Sequence, residues 1–202
     1  FINIETSATQ IKRLQPNVLS LDYCDLNIGE KYYKDMYICN AADTIFKFYL
    51  QEPYGTNYNP WSNAVQYRTR VLDKNEFDEK PGFQVSYHFQ VDDALSLSSL
   101  KAVVEWPHFY ELKINGHEVD PNPGEWWLDK SFGVFEIQNH LKIGDNIITV
   151  NANKMDILAE VEPVYLVGDF GVKTMDKGWL LIPDKKLQLG SWQDQQLPFY
   201  SH

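Results

Sequence analysis

The sequence predicts a mainly β protein, an antiparallel β-sandwich with an N-terminal strand-helix segment, on three observations. Phe83, Val85, Tyr87, Phe89 and Val91 alternate strictly with Gln84, Ser86, His88 and Gln90. A period of two marks a strand with one buried and one wet face. Tyr110, Leu112 and Ile114 repeat the pattern against Glu111, Lys113 and Asn115, and Asn115-Gly116 is the strongest short hairpin signal. The chain also carries 6 Trp, 12 Tyr and 11 Phe, residues that suit a pleated, half-buried surface better than a helical bundle.

The elements follow in order. Leu19, Leu21 and Tyr23 alternate with Ser20, Asp22 and Cys24, which predicts a short strand within Asn17 to Leu26. Ile38, Ala41, Ala42, Ile45, Phe48 and Tyr49 recur at three- and four-residue spacing and predict a helix from about Lys34 to Gln51, stopped by Pro53 and Gly55. Tyr54 to Trp61 is turn-rich, and Asp73 to Gly82 is a charged loop ending in Pro-Gly. Further strands are expected near Val103–Trp106, Phe109–Asn115, Phe132–Ile137, Ile147–Ala152, Val164–Val172, Trp179–Ile182 and Leu187–Trp192. With the two earlier ones they make about nine, the spacing of a two-sheet sandwich. The simplest division is a strand-helix segment over 1–70 packed on a sandwich over 71–202, together one compact unit.

Charge narrows the partners. With 28 acidic against 18 basic residues the net charge is −10, which disfavours nucleic acid and anionic membranes. No apolar run approaches the ~20 residues that a spanning helix needs. Cys24 and Cys39 fit no metal or redox spacing; buried thiols and a short-loop disulfide both stay open. The chain starts at Phe1 and stops at Tyr200-Ser201-His202, and is expected to be a piece of something longer.

Catalytic motifs are missing: no GxSxG elbow, HExxH, Walker loop or GxGxxG occurs, and His88, His108, His117, His140 and His202 are widely spaced. Glycoside hydrolysis needs two carboxylates across the scissile bond. Glu105 before Trp106, and Glu160 or Glu162 before Pro163, are the first acids to inspect, with solvated loop acids as the ordinary alternative. No catalytic residue and no metal ligand is assigned. Sugar recognition is the more natural chemistry, because pyranose C–H faces stack on exposed rings while Asn, Asp, Gln and Arg satisfy hydroxyls. Two loops suit it: Pro121 to Trp127, with Asn122, Glu125, Trp126 and Trp127, and Tyr54 to Trp61, with Tyr58 and Trp61. Neighbours in an extended segment point opposite ways, so one of Trp126 and Trp127 enters the core while the other faces out. Trp106, Trp179 and Trp192 lie in strand-like runs and are expected in the core.

The ordered set Lys113-Ile114-Asn115-Gly116, the tryptophan loop, Glu136-Ile137 and Leu141-Lys142-Ile143-Gly144-Asp145-Asn146-Ile147-Ile148-Thr149-Val150 resembles the sugar-binding domain of family 2 glycoside hydrolases. Val164 to Phe170 and Gly190 to Tyr200 resemble segments of the family 106 rhamnosidase-like enzymes. The resemblance covers Phe83 to His202 and extends to Asn17–Arg70. It implies a galactose-binding-like jelly roll, an extracellular or periplasmic setting, a catalytic domain in the same parent chain that holds both acids, and carbohydrate as partner. Such folds often hold a structural calcium, for which Asp92, Asp93 and Asp145 are conceivable ligands; no cofactor is assigned. The expected function is a non-catalytic accessory domain of a larger glycoside hydrolase. The alternatives are an autonomous carbohydrate-binding module, or a protein-interaction sandwich docking through Phe48 and Tyr49.

Overall fold

The computed structural model describes residues 11–50, 82–156 and 159–200. In chain order the strands begin with β1 (Asn17–Leu21), β2 (Tyr23–Ile28) and β3 (Lys31–Tyr37), followed by the helix α1 (Ile38–Leu50). After it come β4 (Gln84–Val91), β5 (Lys101–Glu105), β6 (Glu111–Ile114), β7 (His117–Val119), β8 (Trp126–Trp127) and β9 (Asp129–Glu136). The last four are β10 (Gly144–Asn151), β11 (Val164–Gly168), β12 (Gly171–Thr174) and β13 (Trp179–Ile182).

They form two sheets. One has the order β1-β11-β5-β9-β8; the other runs β12-β13-β4-β10-β6-β7, with β2 on β4 and β3 on β2. Pairing is antiparallel except between β13 and β4. The fold is a β-sandwich, as the alternation around Tyr87 predicts. Val85, Tyr87, Phe89 and Val91 of β4 meet Leu19, Leu21, Ala102, Val104, Phe135 and Leu166 of the facing sheet in one buried cluster. Burial of each large apolar side chain there is worth about 1.5–3 kcal/mol.

The β6–β7 hairpin turns on Asn115 (φ 50°) and Gly116 (φ 87°), both left-handed, as a type I′ turn requires. Asn115 does more than turn the chain. Its Nδ2 donates to the His140 carbonyl at 2.8 Å, and its Oδ1 accepts the Ile147 amide at 3.0 Å. The fully buried Asn146 donates through Nδ2 to the Lys142 and Gly144 carbonyls, and through Oδ1 accepts Lys142 N–H and Asn115 Nδ2. The asparagines of the Asn-Gly and Gly-Asp-Asn motifs are thus the polar pins of one turn cluster.

Four expectations differ from the structure. The predicted Asn17–Leu26 strand is two strands in different sheets, because the chain crosses over at Asp22. The helix begins at Ile38 and not at Lys34, since Met36 and Tyr37 still pair with Cys24 and Tyr23. Val164–Val172 is broken after Gly168, where the chain turns from one sheet into the other. Leu187–Trp192 forms no strand; it leads into turns in which Leu197 N–H bonds the Trp192 carbonyl.

The apolar stripe of α1 is largely spent inside. Ile38, Ala41, Ile45 and Tyr49 are buried in the common core, while Phe48 is 43% exposed and leans on Gly29. Cys24 is a buried free thiol and Cys39 an exposed one.

Candidate functional site

The Pro121–Trp127 loop ends in β8, the edge strand of its sheet, which pairs with β9. Trp127 is half-buried and packs on Phe132 and Tyr165, with ring centroids 6.4 and 5.6 Å away. Trp126, paired with Gly133, is 51% exposed. The polar groups of this loop are turned on each other: Lys101 Nζ lies 2.6 Å from Glu125 and 3.0 Å from Glu136, and Asn122 Nδ2 donates to Glu125 at 2.6 Å. The Lys101 ammonium and then Asn122 hold the Glu125 carboxyl below its ordinary range. Tyr58 and Trp61 lie outside the described residues.

A second set of residues converges that the sequence scatters. Glu105 ends β5, and Glu160 and Glu162 lie in the connection before β11; with Trp106, His108, Phe109 and Tyr110 they line a cleft of about 330 Å³. The acids singled out before Trp106 and Pro163 therefore share one site. Their convergence follows from the register, since antiparallel pairing of Tyr165 with Val103 brings the start of β11 to the end of β5.

Trp106 was expected in the core. It is instead 49% exposed, with a left-handed backbone (φ 47°, ψ 54°) that a bulky residue rarely adopts. Such a conformation costs about 1–2 kcal/mol and persists only where its surroundings enforce it. Here the Trp106 amide bonds the Ser131 carbonyl at 2.8 Å, its carbonyl accepts Phe109 N–H, and Pro107 sits so tightly on Gly133 that a Cβ there would lie 2.5 Å from the proline Cγ. The ring is turned out at the cleft, edge-on to His108 at 5.8 Å. Trp179 and Trp192, also expected in the core, are only partly buried. Trp106-Pro107 is the available signal: proline has no amide N–H of its own to continue the ladder, so it ends the strand and marks a turn.

Among the described residues no lysine or arginine lines this cleft. Burial, then the charges of Glu105 and Glu160, push the Glu162 carboxyl up to about 6. Burial and then Glu105 raise Glu160 as well. Tyr110 and Tyr87 hold the segment in place by donating to the Glu160 and Glu162 carbonyls at 2.7 and 2.6 Å. The result is an exposed indole face beside three carboxyl groups that accept hydrogen bonds, with apolar and hydroxyl-matching surface side by side.

Two of the three conceivable calcium ligands have hydrogen-bond partners within the chain. Asp92 accepts the Ala94 amide and Asp145 accepts Gln90 Nε2. Among the described residues no group of three or more His, Cys, Asp or Glu is placed to hold a metal ion.

The site and the fold define a β-sandwich with an aromatic, acid-lined cleft. No protein-family model matches the chain, and no curated protein matches it. Solved structures do: one is a beta-glucuronidase from an uncultured Clostridium sp., at 11% identity and a TM-score of 0.39. That match covers 84% of this chain and 33% of the other, so this chain spans a minor part of that protein's length.

Proposed function

We propose that the chain is a non-catalytic, carbohydrate-binding domain of a larger glycoside hydrolase, and that it binds sugar in the cleft under Trp106. The observation that carries this reading is the indole held outward at a conformational cost beside Glu105, Glu160 and Glu162. An aromatic ring exposed at such cost has no packing role that the strand could not serve more cheaply. A pyranose offers the complement: a C–H face for the indole and hydroxyl donors for the carboxylates. The ordered likeness to family 2 sugar-binding domains supports the same class, and the catalytic acids then belong to another part of the parent chain. Titration with a panel of neutral glycans tests it. Trp106→Ala should abolish binding at this cleft, followed by the amide shift of His108, with the melting temperature nearly unchanged, and Trp126→Ala should leave it intact. The opposite pattern would move the site to the Pro121–Trp127 loop, and silence across the panel would sink the reading.

One observation favours a second reading. A carboxyl held at about 6 next to other acids is also what a general acid needs. Steady turnover of aryl glycosides by the chain, lost in Glu162→Gln, would make this cleft catalytic.

A further inference from the structure

A larger cavity, of about 440 Å³, opens where the edge of β4 is shared by two strands. β2 pairs with Gln84 to Tyr87, and β13 takes up the same edge only at Gln90 and Val91. His88 stands in the fork, on the outer face of the sheet. The cavity is walled by residues from both arms: Ser20 to Asp25 and Asp35 on one side, Lys177, Gly178 and Trp179 on the other.

The polar end of this cavity is built with unusual care. Asp25 is buried, yet its carboxylate is satisfied by Tyr32 Oη at 2.7 Å, the Asp35 amide at 2.9 Å and His88 Nε2 at 3.0 Å. The Asp35 amide is free to point there because β3 carries a bulge. Leu26 faces Tyr33 and Cys24 faces Met36, so two residues, Lys34 and Asp35, stand opposite Asp25. Asp35 sits at φ 53°, a strained value for a non-glycine residue. Bulges and such outliers gather at binding sites, where they re-aim groups. In the neutral imidazole, Nε2–H donated to Asp25 leaves the Nδ1 of His88 as a hydrogen-bond acceptor. Lys177 Nζ, 2.6 Å from Asp35 Oδ2, supplies a donor in an exposed pair that a ligand can share.

The wall chemistry selects the occupant. Three aspartates against one lysine, on a chain of net charge −10, repel anions. Leu21, Trp179 and the 60% exposed Tyr23 offer apolar faces between those donors and acceptors. We infer that the fork between β2 and β13 is a second ligand site, for a neutral saccharide unit, with His88 and Asp35–Lys177 as its hydrogen-bonding groups. It shares no residue with the Trp106 cleft and stands whether or not that cleft binds sugar.

Amide spectra of the ¹⁵N-labelled chain, titrated with glucose, galactose, mannose, rhamnose and, as a cationic arm, glucosamine, test this directly. Saturable shifts at Asp35 and Gly178 are expected with at least one neutral sugar, and shifts at Trp106 and His108 report the other cleft separately. His88→Ala, at an exposed position, should weaken binding at the fork about tenfold, a loss of the size of one hydrogen bond. Asp35→Gly keeps the amide to Asp25 and suits the positive φ, so it holds the fold while removing the carboxylate; it too should bind more weakly, and it carries the test should His88→Ala fail to fold. No saturable shift at the fork with any sugar, affinity unchanged in the readable variant, or preference for glucosamine over glucose would overturn the inference.

Discussion

Replacing Glu162 by glutamine removes a charge that the fold holds at a cost. Its carboxyl is raised from the ordinary 4.5 to about 6, first by burial and then by Glu105 and Glu160. The folded chain therefore holds that proton more tightly than the unfolded chain does. Stability from this group is greatest below the unfolded value and falls as pH rises through the folded one, so it is lost between about pH 4.5 and 6. Displacement over that interval corresponds to about 2 kcal/mol, and screening by water at a partly open cleft reduces this to about 1 kcal/mol. Glu162→Gln should thus be more stable than the native chain at pH 7 by about 1 kcal/mol and equal to it near pH 4, by urea unfolding at both. The Tyr87 bond to the Glu162 carbonyl is untouched by the change, so it does not confound the comparison. A variant less stable than the native chain at pH 7, or one with the same pH dependence, would refute the strained cleft.

Other outcomes follow from the same geometry. Asp25→Asn should cost about 2–3 kcal/mol at neutral pH, since it removes the charge that three donors face. Burial opposes ionisation of Asp25, but the Asp35 amide, Tyr32 and His88 outweigh it and lower its pKa. Its contribution is therefore present above the ordinary aspartate range and lost as pH falls through the lower folded value, and acid unfolding of the variant should be less steep there. Gly133→Ala should destabilise by about 1–3 kcal/mol, because its Cβ meets Pro107, and should weaken glycan binding with it, read by calorimetry on both counts. Burial pushes the Cys24 thiol up to about 12, so iodoacetamide at pH 8 should give one adduct, on exposed Cys39, in the folded chain and two in denaturant, by mass spectrometry.

Most of the sandwich was legible because its strands alternate. Val85 to Val91 and Leu112 to Ile114 carry their burial in their spelling, and Asn115-Gly116 dictates its turn. Where one face does not decide, the sequence is quieter. Ala102 to Val104 and Val134 to Phe135 are apolar toward both faces, and Val103, Val134 and Val167 form a separate cluster on the outer side of their sheet. The start of α1 was misplaced because Lys31 to Tyr37 has no strict period, and its state is set by pairing with β2. The clefts were legible only in part. Glu105, Glu160 and Glu162 are legible as acids, yet nothing local announces that the β5–β11 register joins them, and Pro107 marks the turn at Trp106 without fixing which way the ring faces. The Asp25–His88 contact spans residues 63 apart in sequence, and only the β2–β4 pairing makes them neighbours.

The divided edge of β4 also has a consequence for how the molecule closes. Its two occupants come from opposite ends of the described chain, one before the helix and one near residue 180. Joining them demands contacts of very long sequence separation, which form late and slowly. A molecule seated between the two arms would act as a latch across that seam, adding about 2.7 kcal/mol at a hundredfold excess over its dissociation constant. Opening of the seam, followed by hydrogen exchange at Gln90 and Leu181, would then slow in proportion.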